Sequence, residues 1–147
     1  MTYDVQPAAG KFYGAKFVYP VRVYYEDTDA GGIVYYANYL RFAERARTEV
    51  IRALGCNQQD ALEAEDKCGF TVRSCTTDYK LPAVLDDALA VTCELRDAKG
   101  ASAVMFQEIY RGDTLLATVE VKVAYVNLGR KRPVRIPSEL LNKLSCL

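Results

Sequence analysis

Between Thr114 and Val126 the side chains alternate in polarity so regularly that only an extended backbone can satisfy them. Leu115, Ala117, Val119, Val121, Val123 and Tyr125 share one side, while Thr118, Glu120 and Lys122 take the other. Successive strand residues point to opposite faces, so this period of two predicts a strand with one buried face. Something must cover that face. The segment from about Asn38 to Leu54 has the length and period to do so: Tyr39, Phe42, Ala43, Ala46, Val50 and Leu54 form one helical stripe, and Arg41, Glu44, Arg45, Thr48, Glu49 and Arg52 lie on other faces. Asn38 is placed to act as N-cap and Gly55 as the C′ residue.

The flanking segments read mostly as strands. Phe17, Tyr19, Val21, Val23 and Tyr25 alternate within a strand from Lys16 to Glu26, and Pro20 puts its start at a sheet edge. A short helix is expected over Gln58 to Asp66, then strands over Gly69 to Lys80, Ala88 to Asp97 and Ala101 to Tyr110. Lys99-Gly100 and Gly112-Asp113 are tight hairpin signals, making the last three strands an antiparallel meander. Pro137 to Cys146 fits a short terminal helix. The order strand, long helix, four strands predicts an α+β layer with one helix on a curved sheet. The 147 residues are expected to form one domain, 1–147, with a core over about 16–126 and a C-terminal basic segment and short helix over 127–147. One helix covers one face, so free edges predict self-association.

Histidine is absent from the chain, which removes the usual general base and the commonest metal ligand. The five cysteines are odd in number and contain no C-x-x-C pair, so neither a disulfide framework nor a zinc site is suggested. Lys+Arg and Asp+Glu balance at 19 each, leaving no overall field to attract nucleic acid or an anionic membrane; any anion site must be local. No apolar run approaches the roughly 18 residues of a bilayer span. The start, MTYDVQPAAGKFYG, lacks the pattern of a secretory signal, and a cytoplasmic location is expected.

Candidate chemistry sits at the junction of the first strand and the long helix, in Glu26-Asp27-Thr28-Asp29-Ala30-Gly31-Gly32-Ile33-Val34-Tyr35-Tyr36-Ala37-Asn38. Carboxylates at a strand end are followed by glycines and then by a helix start, so a carboxylate would sit beside free backbone N–H groups. Glycine lets backbone approach a ligand, and N–H groups at a helix start stabilise the oxyanion formed when a thioester carbonyl is attacked. The plainer reading is that Asp27 or Asp29 caps the turn.

The run from Val23 to Tyr39, with Phe42-Ala43-Glu44-Arg45-Ala46-Arg47-Thr48-Glu49 after it, resembles the signature of the 4-hydroxybenzoyl-CoA thioesterase superfamily, and within it the Tol-Pal-associated acyl-CoA thioesterases. The resemblance extends from about Lys16 to Val126. It implies a hotdog fold, in which a curved antiparallel sheet wraps one long central helix, and dimers, or dimers of dimers, with sites between subunits. It implies acyl-CoA thioester hydrolysis without a metal, and with no cofactor beyond the coenzyme A of the substrate. The family's catalytic aspartate falls on Asp29 and its carbonyl-polarising backbone amide on Tyr36; Asp27 is then structural. The Tol-Pal-associated group typically has histidine where this chain has Tyr36, whereas the 4-hydroxybenzoyl-CoA branch has tyrosine, a departure that bears on substrate preference. Another hotdog branch uses a glutamate of the central helix, which makes Glu44 a rival; its plain reading is an exposed helix residue near Arg41, Arg47 and Thr48. Asp29 either attacks the carbonyl or activates a water.

Coenzyme A needs cations for its phosphates. Lys99, Gly100, Ala101 and Ser102 fall on the hairpin where the family commonly meets the coenzyme, and Gly129-Arg130-Lys131-Arg132-Pro133-Val134-Arg135 is a local basic run. The expected substrate-binding residues are Gly32, Val34, Lys99, Gly100, Ser102 and Arg130. For each basic place the plainer reading is a turn lysine or a solvated tail. An acyl carrier protein is a candidate partner, and a non-catalytic acyl-CoA or carrier-protein binding module is the alternative function.

Overall fold

The computed structural model describes residues 1–146; Leu147, the last residue of the expected C-terminal segment, lies outside them. Among the described residues one antiparallel sheet is built from β1 (Lys11–Tyr13), β2 (Lys16–Arg22), β3 (Cys68–Tyr79), β4 (Ala88–Lys99), β5 (Ser102–Arg111), β6 (Thr114–Asn127) and β7 (Arg132–Pro133). Their order is β1-β2-β4-β5-β6-β3, with β7 beside β6. The helices are α1 (Asn38–Ala53), α2 (Gln58–Glu63) and α3 (Ser138–Ser145). Since β2 lies towards one edge and β3 forms the other, the chain between them must cross the sheet. Helix α1 makes that crossing and packs on β2, β4 and β6. The meander of β4, β5 and β6 is present as expected.

The helical stripe explains the crossing. Phe42, Ala43, Ala46 and Val50 are fully buried beneath the sheet, with Tyr39 and Ile51 nearly so. The alanines let the helix axis approach the strands, and each large apolar side chain so buried contributes about 1.5–3 kcal/mol. The helix ends at Gly55, whose φ of +87° suits glycine and whose N–H reaches the Arg52 carbonyl at 2.9 Å. Lys143 of α3 donates from Nζ to the Leu54 carbonyl at 2.9 Å, placing a cation at the negative end of the helix. The other end differs from expectation. Ala37 occupies the N-cap position in helical conformation, and Asn38 turns its amide inward to Asp27 instead of capping.

Some boundaries shift for local reasons. Strand β2 stops at Arg22, short of Glu26, because Asp27 Oδ2 accepts the Tyr24 N–H at 2.8 Å and folds Tyr25–Asp27 into a 3₁₀ turn. Pairing of β1 with β2 ends at Val18, which leaves Pro20 on an open edge. In β6 a bulge opposite Tyr110 adds one residue, so that Leu116, and not Leu115, is fully buried. After β6 the chain turns back as β7, and Ile136, Leu140 and Leu144 pack into the core. Gln107, fully buried on β5, accepts from Arg47 Nη1 at 2.9 Å and donates to the Ala43 carbonyl at 2.9 Å, tying α1 to the sheet by polar contacts.

Candidate active site

The acidic turn is a tight reversal. Thr28 and Val34 form an antiparallel bridge; Asp29 N–H donates to the Ile33 carbonyl at 2.8 Å, and Gly32 N–H to the Asp29 carbonyl at 3.0 Å. Gly32 has φ +85°, a left-handed conformation that favours glycine. The Gly31 N–H donates to Asp29 Oδ1 at 2.8 Å, and a Cβ on Gly31 would lie 3.2 Å from that oxygen, so bare backbone gives the carboxylate its seat. Asp29 therefore does cap its own turn, but with one oxygen. Its residue is exposed, and Oδ2 accepts no hydrogen bond among the described residues.

Asp27 is placed differently. It is buried; Oδ2 holds the Tyr24 N–H, Oδ1 accepts from Asn38 Nδ2 at 3.0 Å, and its carbonyl accepts the Tyr35 N–H at 2.9 Å. These bonds join the end of the strand segment to the first residue of α1. The loop after β3 supports the turn from behind: Val34 N–H donates to the Ala83 carbonyl at 2.9 Å, and Ile33 bridges to Val84. That loop is pinned by Asp87, whose Oδ2 takes the Val84 N–H at 2.9 Å and Arg111 Nη1 at 2.8 Å. Burial pushes the Asp87 pKa up, but the Val84 N–H and the Arg111 guanidinium outweigh it and hold the carboxyl below its ordinary range.

Along this segment the N–H groups of Gly31, Gly32, Val34 and Tyr35 are all engaged, whereas those of Tyr36 and Ala37 have no acceptor among the described residues. They stand at the start of the 16-residue helix α1, where N–H groups point outward along the axis and favour negative charge. The Tyr36 ring is exposed and lies tilted at 4.9 Å from that of Tyr35 and edge-on at 6.2 Å from that of Tyr79, while its carbonyl accepts the Tyr79 hydroxyl at 2.9 Å. Val34 is almost wholly buried in the core and its N–H is taken by the Ala83 carbonyl, so the chain by itself presents little of Val34 to a substrate; Gly32 is exposed. Glu44 is largely exposed and ion-paired with Arg47. A small cleft of about 70 Å³ farther along α1 is lined by Glu44, Arg47, Thr48, Phe70 and Met105, so the rival Glu44 borders it, whereas Asp29 and Tyr36 do not.

The two basic places lie at the same end of the sheet, one in the β4–β5 hairpin and the other in the turn after β6. Val134 N–H donates to the Tyr125 carbonyl at 2.9 Å and Ile136 N–H to the Gly100 carbonyl at 3.0 Å, which lays the chain after β7 against the β4–β5 hairpin. Ser102 Oγ donates to the Lys99 carbonyl at 3.4 Å, closing that hairpin. Lys99, Arg130, Lys131, Arg132 and Arg135 are exposed, and none has an acidic partner within ion-pair distance among the described residues. The juxtaposition depends on β7 pairing with β6, for which the sequence carries no periodic signal.

One long helix laid across an antiparallel sheet is the hotdog arrangement. The chain belongs to the thioesterase-like superfamily, whose family model matches residues 23–144. It is 49% identical over 124 residues to the acyl-CoA thioesterase YbgC of Haemophilus influenzae, covering 84% of this chain and 90% of that one. It is 36% identical over 135 residues to the acyl-CoA thioesterase YbgC of Helicobacter pylori, with 84% and 98% covered. A probable thioesterase from Bartonella henselae, known from its crystal structure, superposes with a TM-score of 0.80 at 34% identity, covering 84% of this chain and all of that one.

Proposed function

We propose that this acyl-CoA thioesterase uses Asp29 as its catalytic carboxylate and the backbone N–H of Tyr36 to polarise the thioester carbonyl. The observation that carries the reading is the pairing of a half-engaged, exposed carboxylate with an unengaged N–H at the start of α1. An N–H fixed in direction before the reaction stabilises the negative charge that develops on the carbonyl oxygen, and losing such a donor typically costs about 10²–10³-fold in turnover. The helix terminus adds to the same effect. In the nucleophilic route a carboxylate oxygen bonds to the carbonyl carbon as the C–S bond breaks. The coenzyme A thiolate leaves and is protonated by solvent, and water then cleaves the mixed anhydride, releasing the acid and regenerating Asp29. In the general-base route Asp29 takes a proton from the water that adds to the carbonyl. Seating Oδ1 on the Gly31 N–H holds the carboxylate in one orientation, which favours direct attack by the other oxygen.

The coenzyme's phosphates are assigned to Lys99, Gly100 and Ser102 of the hairpin with Arg130 of the adjoining basic turn, supported by the unpaired cations gathered there. Gly32 at the surface of the turn, and Val34 anchoring it to the core, shape the turn beneath the reacting group. Strand β3 forms a sheet edge along Cys68–Tyr79, and exposed Leu40 and Val72 lie on α1 and β3, so a second copy pairing along that edge is the natural cover. A dimer, or a dimer of dimers, acting in the cytoplasm without a further cofactor completes the reading, with an acyl carrier protein as a candidate donor of substrate. Among the described residues no helix is long and apolar enough to cross a membrane. Thiol release measured over short, long and aromatic acyl-CoAs tests the activity and its range. Hydrolysis of none of them would overturn it.

A further inference from the structure

The two free N–H groups at the start of α1 belong to consecutive peptide planes, and each plane is held at its opposite, carbonyl end. The plane bearing the Tyr36 N–H has its Tyr35 carbonyl held by the Asn38 N–H at 2.8 Å. The plane bearing the Ala37 N–H has its Tyr36 carbonyl held by the Tyr79 hydroxyl at 2.9 Å. The helix itself does not supply that second anchor: Leu40 N–H bonds to the Ala37 carbonyl at 3.1 Å, one residue short of the α-helical partner, which leaves the Tyr36 carbonyl to Tyr79. Ala37 is already helical, with φ −70° and ψ −21°, so its N–H points out along the axis beside that of Tyr36.

We propose that Tyr79 is a positioning residue for thioester hydrolysis, its hydroxyl fixing the peptide plane that presents the Ala37 N–H as a second donor to the oxyanion. This rests on the reading that the carbonyl is polarised at the start of α1. A peptide plane rotates as a unit, so holding its carbonyl oxygen fixes the direction of its N–H, and a hydrogen bond accepted by that oxygen also polarises the amide and strengthens the donor. Tyr79 is 43% exposed, but one side of its ring is held. Its ring packs edge-on at 5.5 Å from Tyr39, which is buried and accepts the Ala83 N–H at 2.9 Å. Tyr79 thus passes the rigidity of the core, and of the end of edge strand β3, to the first turn of α1. Partial burial raises the Tyr79 hydroxyl above its ordinary pKa, which already lies well above neutrality, so the group is protonated and able to donate.

The experiment is Tyr79→Phe, which keeps the ring and its packing and removes only the hydroxyl. The full-length variant should lose roughly tenfold in kcat on an acyl-CoA that the parent hydrolyses, with KM and thermal midpoint little changed, because the interaction is strongest in the transition state. A second measurement separates positioning from mere stability. With the thioester carbonyl ¹³C-labelled and bound to the Asp29→Asn protein, its infrared stretch should lie below that of the free ester, and adding Tyr79→Phe should return part of the shift. A kcat within twofold of the parent, or a lowered kcat with the bound stretch unmoved, overturns the proposal. Should the bound stretch in the Asp29→Asn protein coincide with that of the free ester, the reading that the carbonyl is polarised at the start of α1 fails first and takes this inference with it.

Discussion

Asn38 donates from Nδ2 to Asp27 Oδ1 at 3.0 Å, and both residues are buried. This bond joins the 3₁₀ turn before the acidic reversal to the first residue of α1, so it sets where the free N–H groups stand relative to Asp29. Asn38→Ala would leave a buried carboxylate oxygen without its partner, at a cost of about 1–3 kcal/mol. Chemical denaturation should show that loss, and kcat should fall with it. An unchanged denaturation midpoint would mean that water replaces the amide without penalty.

The Tyr36 side chain is exposed, whereas its backbone N–H is the group assigned to the carbonyl. Tyr36→Phe should therefore keep turnover within about tenfold, compared with the roughly 10²–10³-fold loss expected when an oxyanion donor is removed. Steady-state kinetics over several acyl-CoAs decides the matter. A loss beyond about 10²-fold on all of them with normal binding would make the hydroxyl a participant.

Lys99 and Arg130 come from distant parts of the chain and are brought to one end of the sheet by the pairing of β5 with β6. Lys99→Ala and Arg130→Ala should each raise KM several-fold with little change in kcat, since phosphate contacts serve ground and transition states alike. The parent's KM should climb with salt, because exposed charges are screened. A KM indifferent to both substitutions would place the phosphates elsewhere.

Asp87 supports the loop behind the acidic turn through Val84 and Arg111. Its folded pKa lies below the ordinary value of 3.8, so its contribution to stability is present above that value and is lost as pH falls through the folded pKa. Asp87→Asn should cost about 1 kcal/mol near neutrality, a figure kept small because Arg111 is partly exposed. Thermal midpoints recorded against pH should show the gap between variant and parent closing below 3.8. A gap that persists there would assign the loss to packing and not to charge.

Periodicity was enough to read the strands, the long helix and the hairpins, because each is a local pattern that burial enforces. What it could not reveal depends on contacts between distant segments. The shift of the buried face from Leu115 to Leu116 comes from a bulge that strand β5 imposes. Asn38 has the right type for an N-cap, yet a buried carboxylate eleven residues earlier claims its amide. Strand β1 went unread, although Phe12 and Tyr13 before Gly14 are a short apolar run against a turn residue. A lone glutamine in a strand reads as solvent-facing, yet Gln107 is buried, and only the approach of Arg47 and Ala43 makes that tolerable. At the candidate site, the acidic turn and the helix start were legible as types of residue in order. The freedom of the Tyr36 and Ala37 N–H groups, and the Tyr79 contact, were not.

The measurement that bears most directly on the whole account is turnover of Asp29→Asn on an acyl-CoA that the parent hydrolyses, with substrate affinity measured on the same preparation. Asparagine keeps the size and the oxygen that seats on the Gly31 N–H, so the turn and the fold should persist. It is neither a base nor a competent nucleophile, and turnover should fall at least about 10²-fold while binding and thermal midpoint stay near those of the parent. Turnover within about threefold of the parent would contradict the assignment of Asp29 and move the search to Glu44.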